Sequence, residues 1–431
     1  MNQINSLLFQ PIKLGNLELN GRLIKSAMVE TMCTDEGFVT DMLIDHYCEI
    51  AKGGTPLIIT GASSFNGFSR GVPRQISVDA DDKIPGLKKL ADAVHEQGGK
   101  IMVQIYHTAR QASPAPVGRK EAQAPSAVFE PMLGVKPKAM TKQEISETVI
   151  QFAEAAERCK NAGMDGVQIH AAHGYLISSF LTPHTNRRKD EYGGSFENRM
   201  RFLIEVYRAI RVRVGADYPI ILKLNGSDDL PLRRGLSTKA LVQIAKIMEE
   251  EGINGIEITA GHYESGTTFS RGKWNGYTRE VMLRGPGQSM GRLRRTGMLI
   301  MSPLMDLFFN VMAAYRPGFN LEYAKEFTQA LSVPVICVGG LSDAETMNKA
   351  LLNRYCDLIA VARGHIADPF LYHNLKNNLA GPKCDYCNLC FTRAGVEPLA
   401  CLNPRVSKQR EKMIARLNHE AGSINNQVIN Q

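Results

Sequence analysis

Eight short apolar runs recur along the chain, at Leu23–Met28, Pro56–Ala62, Lys100–His107, Gly166–His173, Ile220–Asn225, Gly255–Gly261, Pro334–Gly340 and Leu358–Gly364. They are nearly continuous rather than alternating, the pattern of parallel strands covered on both faces. Between them lie segments with an apolar period near 3.6, such as Ile145–Ala162, Phe196–Val214, Lys239–Glu250 and Ala344–Leu352. Thr141-Lys-Gln-Glu144 and Ser342-Asp-Ala-Glu345 read as capping boxes at two helix starts. Eight strand–helix repeats predict an α/β fold, a (β/α)8 TIM barrel over residues 1–380. A doubly wound sheet lacks its signature, a Gly-x-Gly-x-x-Gly turn after an early strand.

Two segments fall outside that repeat. A long insertion, residues 262–320, separates the sixth and seventh strands. It holds the only Trp, Trp274, several Arg and the apolar stretch Met298–Tyr315. That stretch contains Pro303, Asp306 and Asn310, and is too short and too polar to span a membrane. The insertion suits a lid or dimer contact, or a basic pocket wall for an anionic substrate. Residues 381–431 form a Cys-containing extension ending in the polar tail Asn418–Gln431, which reads as disordered.

Composition adds bounds. An apolar fraction of 44% over 431 residues suits a sizeable core. The start, Met1 to Asn16, lacks a basic-then-apolar secretory pattern, so the reading is a cytoplasmic protein with reduced thiols. The net charge is +8, with basic excess at Arg271–Arg295 and Arg405–Arg416. No nucleic-acid motif accompanies it. The expected partner is a small molecule, with neither nucleic acid nor membrane.

Barrel chemistry sits at the C-terminal ends of strands. The fourth run ends in His170-Ala-Ala-His173-Gly-Tyr175. His170 and His173 converge only if the strand ends between them and the chain turns. Val338-Gly339-Gly340 and Ala362-Arg363-Gly364 end the last two strands, the fold's frequent phosphate site. Gln104 offers an amide that suits a heterocycle with alternating N–H and C=O groups. Lys223 is a cation in an apolar strand, which must be paired or meet an anion.

These motifs resemble the Old Yellow Enzyme family of FMN-dependent NAD(P)H:flavin oxidoreductases. The matching pieces include Leu8-Phe-Gln-Pro-Ile, Asn20-Gly-Arg22, Gln104-Ile-Tyr-His107, Ala124-Pro-Ser126, the His170–Tyr175 block, Phe180-Leu-Thr-Pro-His184-Thr-Asn186 and Asp190-Glu-Tyr-Gly-Gly-Ser195-Phe-Glu-Asn198-Arg199. The resemblance implies FMN at the barrel mouth and NAD(P)H as reductant. It places Ser26, Ala27, Met28 and Ala62 against the flavin and Gln104 at its pyrimidine edge. Lys223 stands where many relatives have Arg, and Gly339, Gly340, Arg363 and Gly364 hold the phosphate. His170 and His173 bind a substrate oxygen, and Tyr175 donates a proton. The implied reaction is ping-pong reduction of an activated C=C bond by NADH or NADPH.

Val29 stands where some relatives carry Cys or His. Cys384, Cys387, Cys390 and Cys401 resemble the iron–sulfur segment of the 2,4-dienoyl-CoA reductase branch, though that branch spaces its third Cys one residue further along. Four thiols suit a [4Fe–4S] cluster, zinc, or a metal-free remnant. Amine dehydrogenation or demethylation, a flavoenzyme fed by a separate electron-donor protein, and a non-redox phosphate-binding barrel are the rival readings. A homo-oligomer is compatible with all of them.

Overall fold

A computed structural model describes residues 6–111, 115–118, 121–230, 235–265 and 268–429, with side chains in the last helix to residue 417. Eight parallel strands close into one barrel: β1 (Leu23–Lys25), β2 (Leu57–Ser63), β3 (Lys100–Ile105), β4 (Gly166–Ala171), β5 (Ile220–Asn225), β6 (Ile256–Thr259), β7 (Val335–Val338) and β8 (Leu358–Val361). Each pairs with its sequence neighbours, and β8 pairs with β1. A two-stranded hairpin, Ile12–Leu14 with Leu17–Leu19, precedes β1. Its Leu14 and Leu19 pack with Ile24, Leu57 and Ile336.

The helices in chain order are α1 (Asp41–Lys52), α2 (Ile84–Glu96), α3 (Lys142–Asn161), α4 (Leu176–Leu181), α5 (Phe196–Val214), α6 (Thr238–Glu250), α7 (Tyr277–Arg284), α8 (Arg292–Met312), α9 (Leu321–Ala330), α10 (Ala344–Leu352), α11 (Arg363–Ala367), α12 (Leu371–Lys376) and α13 (Pro404–Ile429). The Thr141 capping box forms on α3 as read, with Glu144 reaching back to the Thr141 N–H. The box expected from Ser342 does not cap α10. Asp343 does, its carboxylate accepting from Thr346 N at 2.8 Å. A carboxylate is both a stronger acceptor and a better match to the helix dipole than a hydroxyl.

The strands stop earlier than the apolar runs. β4 ends at Ala171 and β7 at Val338, because His173, Gly339 and Gly340 adopt positive φ. His173, Tyr175, Gly339 and Gly340 therefore lie on the turns beyond the strands, while His170, Gln104, Lys223 and Ala62 stand on the strands themselves.

The insertion holds α7, α8 and a small core of its own, with Trp274, Phe309 and Ala313 buried together. The Trp274 indole N–H donates to Ala313 O at 3.0 Å. The polar tail expected to be disordered continues α13 through Ile429; Asn430 and Gln431 lie outside the described residues. Pro404 opens that helix, and the Asn403 side chain accepts from Arg405 N and Val406 N. A capping Asn and a first-turn Pro give the segment a fixed start. Val406 and Met413 bury against the barrel side, and Arg410 pairs with Glu49 of α1 at 2.5 Å. Among the described residues no helix is long and apolar enough to cross a membrane.

Candidate active site

The turn after β4 gathers the imidazoles and the phenol. His173 takes φ 60 and Gly174 φ 79, so the chain reverses immediately past the strand. The His170 and His173 rings then lie 5.1 Å apart, and the His170 and Tyr175 rings 4.7 Å apart, both edge to face. Convergence of the three groups follows from the left-handed residue at position 173.

Backbone contacts orient the rings. His170 Nδ1 accepts from Ala172 N at 3.2 Å, which leaves its Nε2 as the N–H donor. His173 Nε2 lies 2.9 Å from Thr259 Oγ1 at the end of β6, and its backbone N donates to Asn225. Burial holds both imidazoles well below their usual pKa; Lys223 adds to this for His170, as do His170, Lys223 and His262 for His173. Both are neutral donors at neutral pH. Burial raises the Tyr175 phenol well above 10, and the neighbouring Tyr263 and Tyr106 raise it further. It keeps its proton.

A polar chain crosses the mouth beside this turn. Gln104 Nε2 donates to Gln168 Oε1 at 2.5 Å, and Gln168 Nε2 donates to Glu257 Oε2 at 2.6 Å. Glu257 Oε1 accepts from Lys223 Nζ and from Ser26 Oγ, each at 2.7 Å. Register builds it: Gln104 pairs with Gln168, and Lys223 stands between His170 and Glu257 on adjacent strands. Burial pushes the Glu257 carboxyl up, but Lys223, Ser26 and Gln168 outweigh it, and the net pKa lies below the usual value. Ala62 is buried beside Gln104 in the β2–β3 register, and Ala27 and Met28 are half-buried past β1.

Gln168 and Glu257 were not singled out from sequence. A carboxylate within Gly-Ile-Glu257-Ile-Thr breaks an apolar run as Lys223 does, and that signal could have found it. Tyr263 and Phe269, at the start of the insertion, were also missed. The Tyr263 ring lies 6.5 Å from Tyr175, and the Phe269 ring 5.0 Å from His173. The start of the insertion therefore packs aromatic rings against the His–Tyr turn.

At the other side of the mouth, Gly339 (φ 146) and Gly340 (φ 69) turn the chain after β7. A Cβ on Gly340 would sit 2.7 Å from Arg316 O, so the backbone there is bare by necessity. Gly364 is the second residue of α11, past β8. The Arg363 guanidinium turns away from a free role: it donates to Asn388 and, at 2.8 Å, to Arg271 O, and stacks 4.8 Å from the Tyr386 ring. It braces the insertion against the Cys segment.

Cys384, Cys387, Cys390 and Cys401 line one cavity with Arg363, Asn388 and Asn403. Burial raises all four thiols, Cys384 to about 11, so as free groups they hold their protons. Among the described residues, no three His, Cys, Asp or Glu side chains close on a single metal ion. Tetrahedral zinc needs its thiolates drawn to about 2.3 Å from one centre. Thiolates are equally the ligands of iron–sulfur clusters, so the donor chemistry of this cavity suits either group.

A parallel eight-stranded barrel with an amide, a cation, bare glycine turns and a His–His–Tyr turn at its mouth is the arrangement expected of the Old Yellow Enzyme class. The chain belongs to the NADH:flavin oxidoreductase / NADH oxidase family, whose model matches residues 7–280 and 308–381. The match omits the end of α7 and most of α8, so the unusual part of the insertion is narrower than 262–320. The chain is 34% identical over 386 residues to the NADH oxidase of Thermoanaerobacter brockii, covering 89% of this chain and 53% of that protein. It thus spans about half the length of that relative. It is 30% identical over 383 residues to the NADPH dehydrogenase of Listeria welshimeri, covering 88% of this chain and 98% of that protein. Among solved structures, a 2-naphthoyl-CoA reductase in complex with 2-naphthoyl-CoA superimposes with a TM-score of 0.78 at 29% identity, covering 94% of this chain and 58% of that one.

Proposed function

We propose that this chain reduces an activated C=C bond, conjugated to a carbonyl, at the expense of NADH or NADPH. The observation that carries the reading is the turn after β4: a neutral imidazole N–H from His170 beside a protonated Tyr175 phenol, both buried at one strand end. The mouth fits FMN on the chemistry of its donors. Gln104 would offer the pyrimidine edge an amide, Lys223 would offer the ring a cation, Ser26, Ala27, Met28 and Ala62 would lie against the ring, and the backbone of Gly339, Gly340, Arg363 and Gly364 would offer the phosphate N–H groups. Bound FMN supplies hydride transfer between the nicotinamide and the substrate in two half-reactions, a ping-pong sequence.

The chain's own part is positioning and proton control. His170 Nε2–H and the His173 imidazole hold the carbonyl oxygen and stabilise the charge that develops there. A neutral donor does this without attracting a permanent anion. Tyr175, kept protonated by burial, delivers its proton to the α carbon. Tyr175→Phe is expected to slow NAD(P)H-driven reduction of 2-cyclohexen-1-one by about 10²- to 10⁴-fold, the usual worth of a positioned acid. An unchanged rate removes the donor assignment.

The four cysteines hold a [4Fe–4S] cluster in this reading, on their shared cavity. Anaerobically purified protein is expected to contain iron and acid-labile sulfide, both lost in Cys390→Ser. Zinc without sulfide, or neither, overturns the assignment.

A further inference from the structure

The helix α8 exposes a face that none of the described residues covers. Leu293, Ile300, Leu304, Leu307, Phe308 and Val311 all project into solvent, Leu293 being 89% exposed and Val311 72%. At 100° per residue they fall within an arc of about 100° on one side of the helix. The opposite side, with Ser302, Asp306 and Phe309, is buried against the rest of the insertion. The exposed arc contains no charged residue. Arg292 and Arg294, both exposed, flank it on either edge at the helix start. A contiguous apolar surface running about five turns is the kind of exposed patch that marks an interaction site.

Charge decides what would cover it. Residues 265–320 hold eight Lys and Arg against two acids, Glu280 and Asp306. Asp306 is buried, accepting from Thr278 N at 2.9 Å, and Glu280 lies 3.7 Å from Arg284. The region thus carries most of the chain's net +8. A second copy is a poor occupant. Pairing α8 with itself in parallel stacks Arg292 and Arg294 on their own counterparts. That places cation against cation, and an antiparallel pair is an outcome that the test below distinguishes.

We propose that α8 docks the protein on an anionic phospholipid bilayer, lying along the interface with its apolar face in the acyl boundary. A convex apolar ridge edged by Arg is the form such interfacial helices take, and it asks for no spanning length. The expectation of no membrane partner rested on the lack of a spanning segment, which an interfacial helix does not need. The family match breaks between residues 280 and 308, so most of the face lies outside the shared core of the family.

The test is co-sedimentation of the full-length chain with vesicles of phosphatidylcholine, with and without about 30 mol % phosphatidylglycerol. Binding is expected to the anionic vesicles only, and to weaken with salt. Leu304→Glu with Leu307→Glu is expected to abolish it, and Arg292→Glu with Arg294→Glu to weaken it by about tenfold or more. Both variants should keep the parent's melting temperature, since these side chains are already in water. No co-sedimentation, or equal binding to neutral vesicles, overturns the proposal. So does a lipid-free dimer in sedimentation equilibrium that the Leu variant dissociates, because the face then belongs to a second copy. No turnover is read, so the outcome is independent of the redox reading.

Discussion

Lys223 and Glu257 are the residues on which the mouth is built. Their 2.7 Å ion pair lies inside the barrel, and Glu257 is fully buried. Two charges removed from water are tolerated only while paired and hydrogen-bonded. Glu257→Leu therefore strands a buried ammonium, and chemical denaturation is expected to show a loss of about 3–5 kcal/mol. The double variant Lys223→Met, Glu257→Leu should recover most of that loss, as apolar replacement of a buried pair usually does. If the double variant is no better than the single, the pair is not what holds the site together. The pH sign follows from the carboxyl. Its folded pKa is depressed, so its contribution is present above the unfolded carboxylate value of about 4.3 and is lost as pH falls through the folded value. Lys223 was legible in sequence because a charge interrupts an apolar strand. Its partner was not, because pairing across strands depends on register, and register is settled by the closed barrel.

At the scale of elements, the turns carry the specificity that the strands only aim. Periodicity located all eight strands and several barrel helices, with Phe196–Val214 and Ala344–Leu352 read to the residue, but missed α13, the longest helix among the described residues. It overran the strand ends, since apolar residues continue past the last ladder bond while the backbone has already turned. The left-handed conformation of His173 could not be seen in composition, although the need for a turn between the imidazoles could. Two glycine substitutions separate the functions of two turns. Gly174 has φ 79, and a Cβ there would lie 2.7 Å from His262 Nδ1 and press on Gln111. Gly174→Ala is expected to disturb the His–Tyr turn at a cost of about 1–3 kcal/mol, retaining flavin while losing turnover. Gly340→Ala, with φ 69 and Arg316 O in the way, is expected to reduce flavin content per chain, read from the visible absorbance. Flavin lost from the first and kept by the second would reverse the assignment of the two turns.

On the scale of the whole molecule, the barrel keeps imidazoles neutral at several depths. His365 is buried beneath the β8 turn, its Nδ1 3.0 Å from Val361 O and its Nε2 3.1 Å from Thr55 Oγ1. Burial lowers its pKa to about 4, against a slight opposing effect of the Val361 carbonyl. The unfolded chain, with an imidazole pKa of about 6.5, then binds a proton that the folded chain refuses. Stability contributed by this group is full above about pH 6.5 and falls as pH drops toward the folded value. Asp368 works against it: burial raises its carboxyl to about 6, so the folded state takes up a proton there and gains stability as pH falls. The two signs mean that the net acid profile of the parent protein does not report either group. The difference between parent and His365→Gln does, because Asp368 is common to both. Between pH 6 and 5 the slope of unfolding free energy against pH is expected to be more positive in the parent than in His365→Gln by somewhat under one proton, about 1.2 kcal/mol per unit, the parent being nearly flat and the variant gaining stability as pH falls. Equal slopes would mean that His365 takes a proton in the folded barrel, and that the interior beneath the phosphate turns admits water.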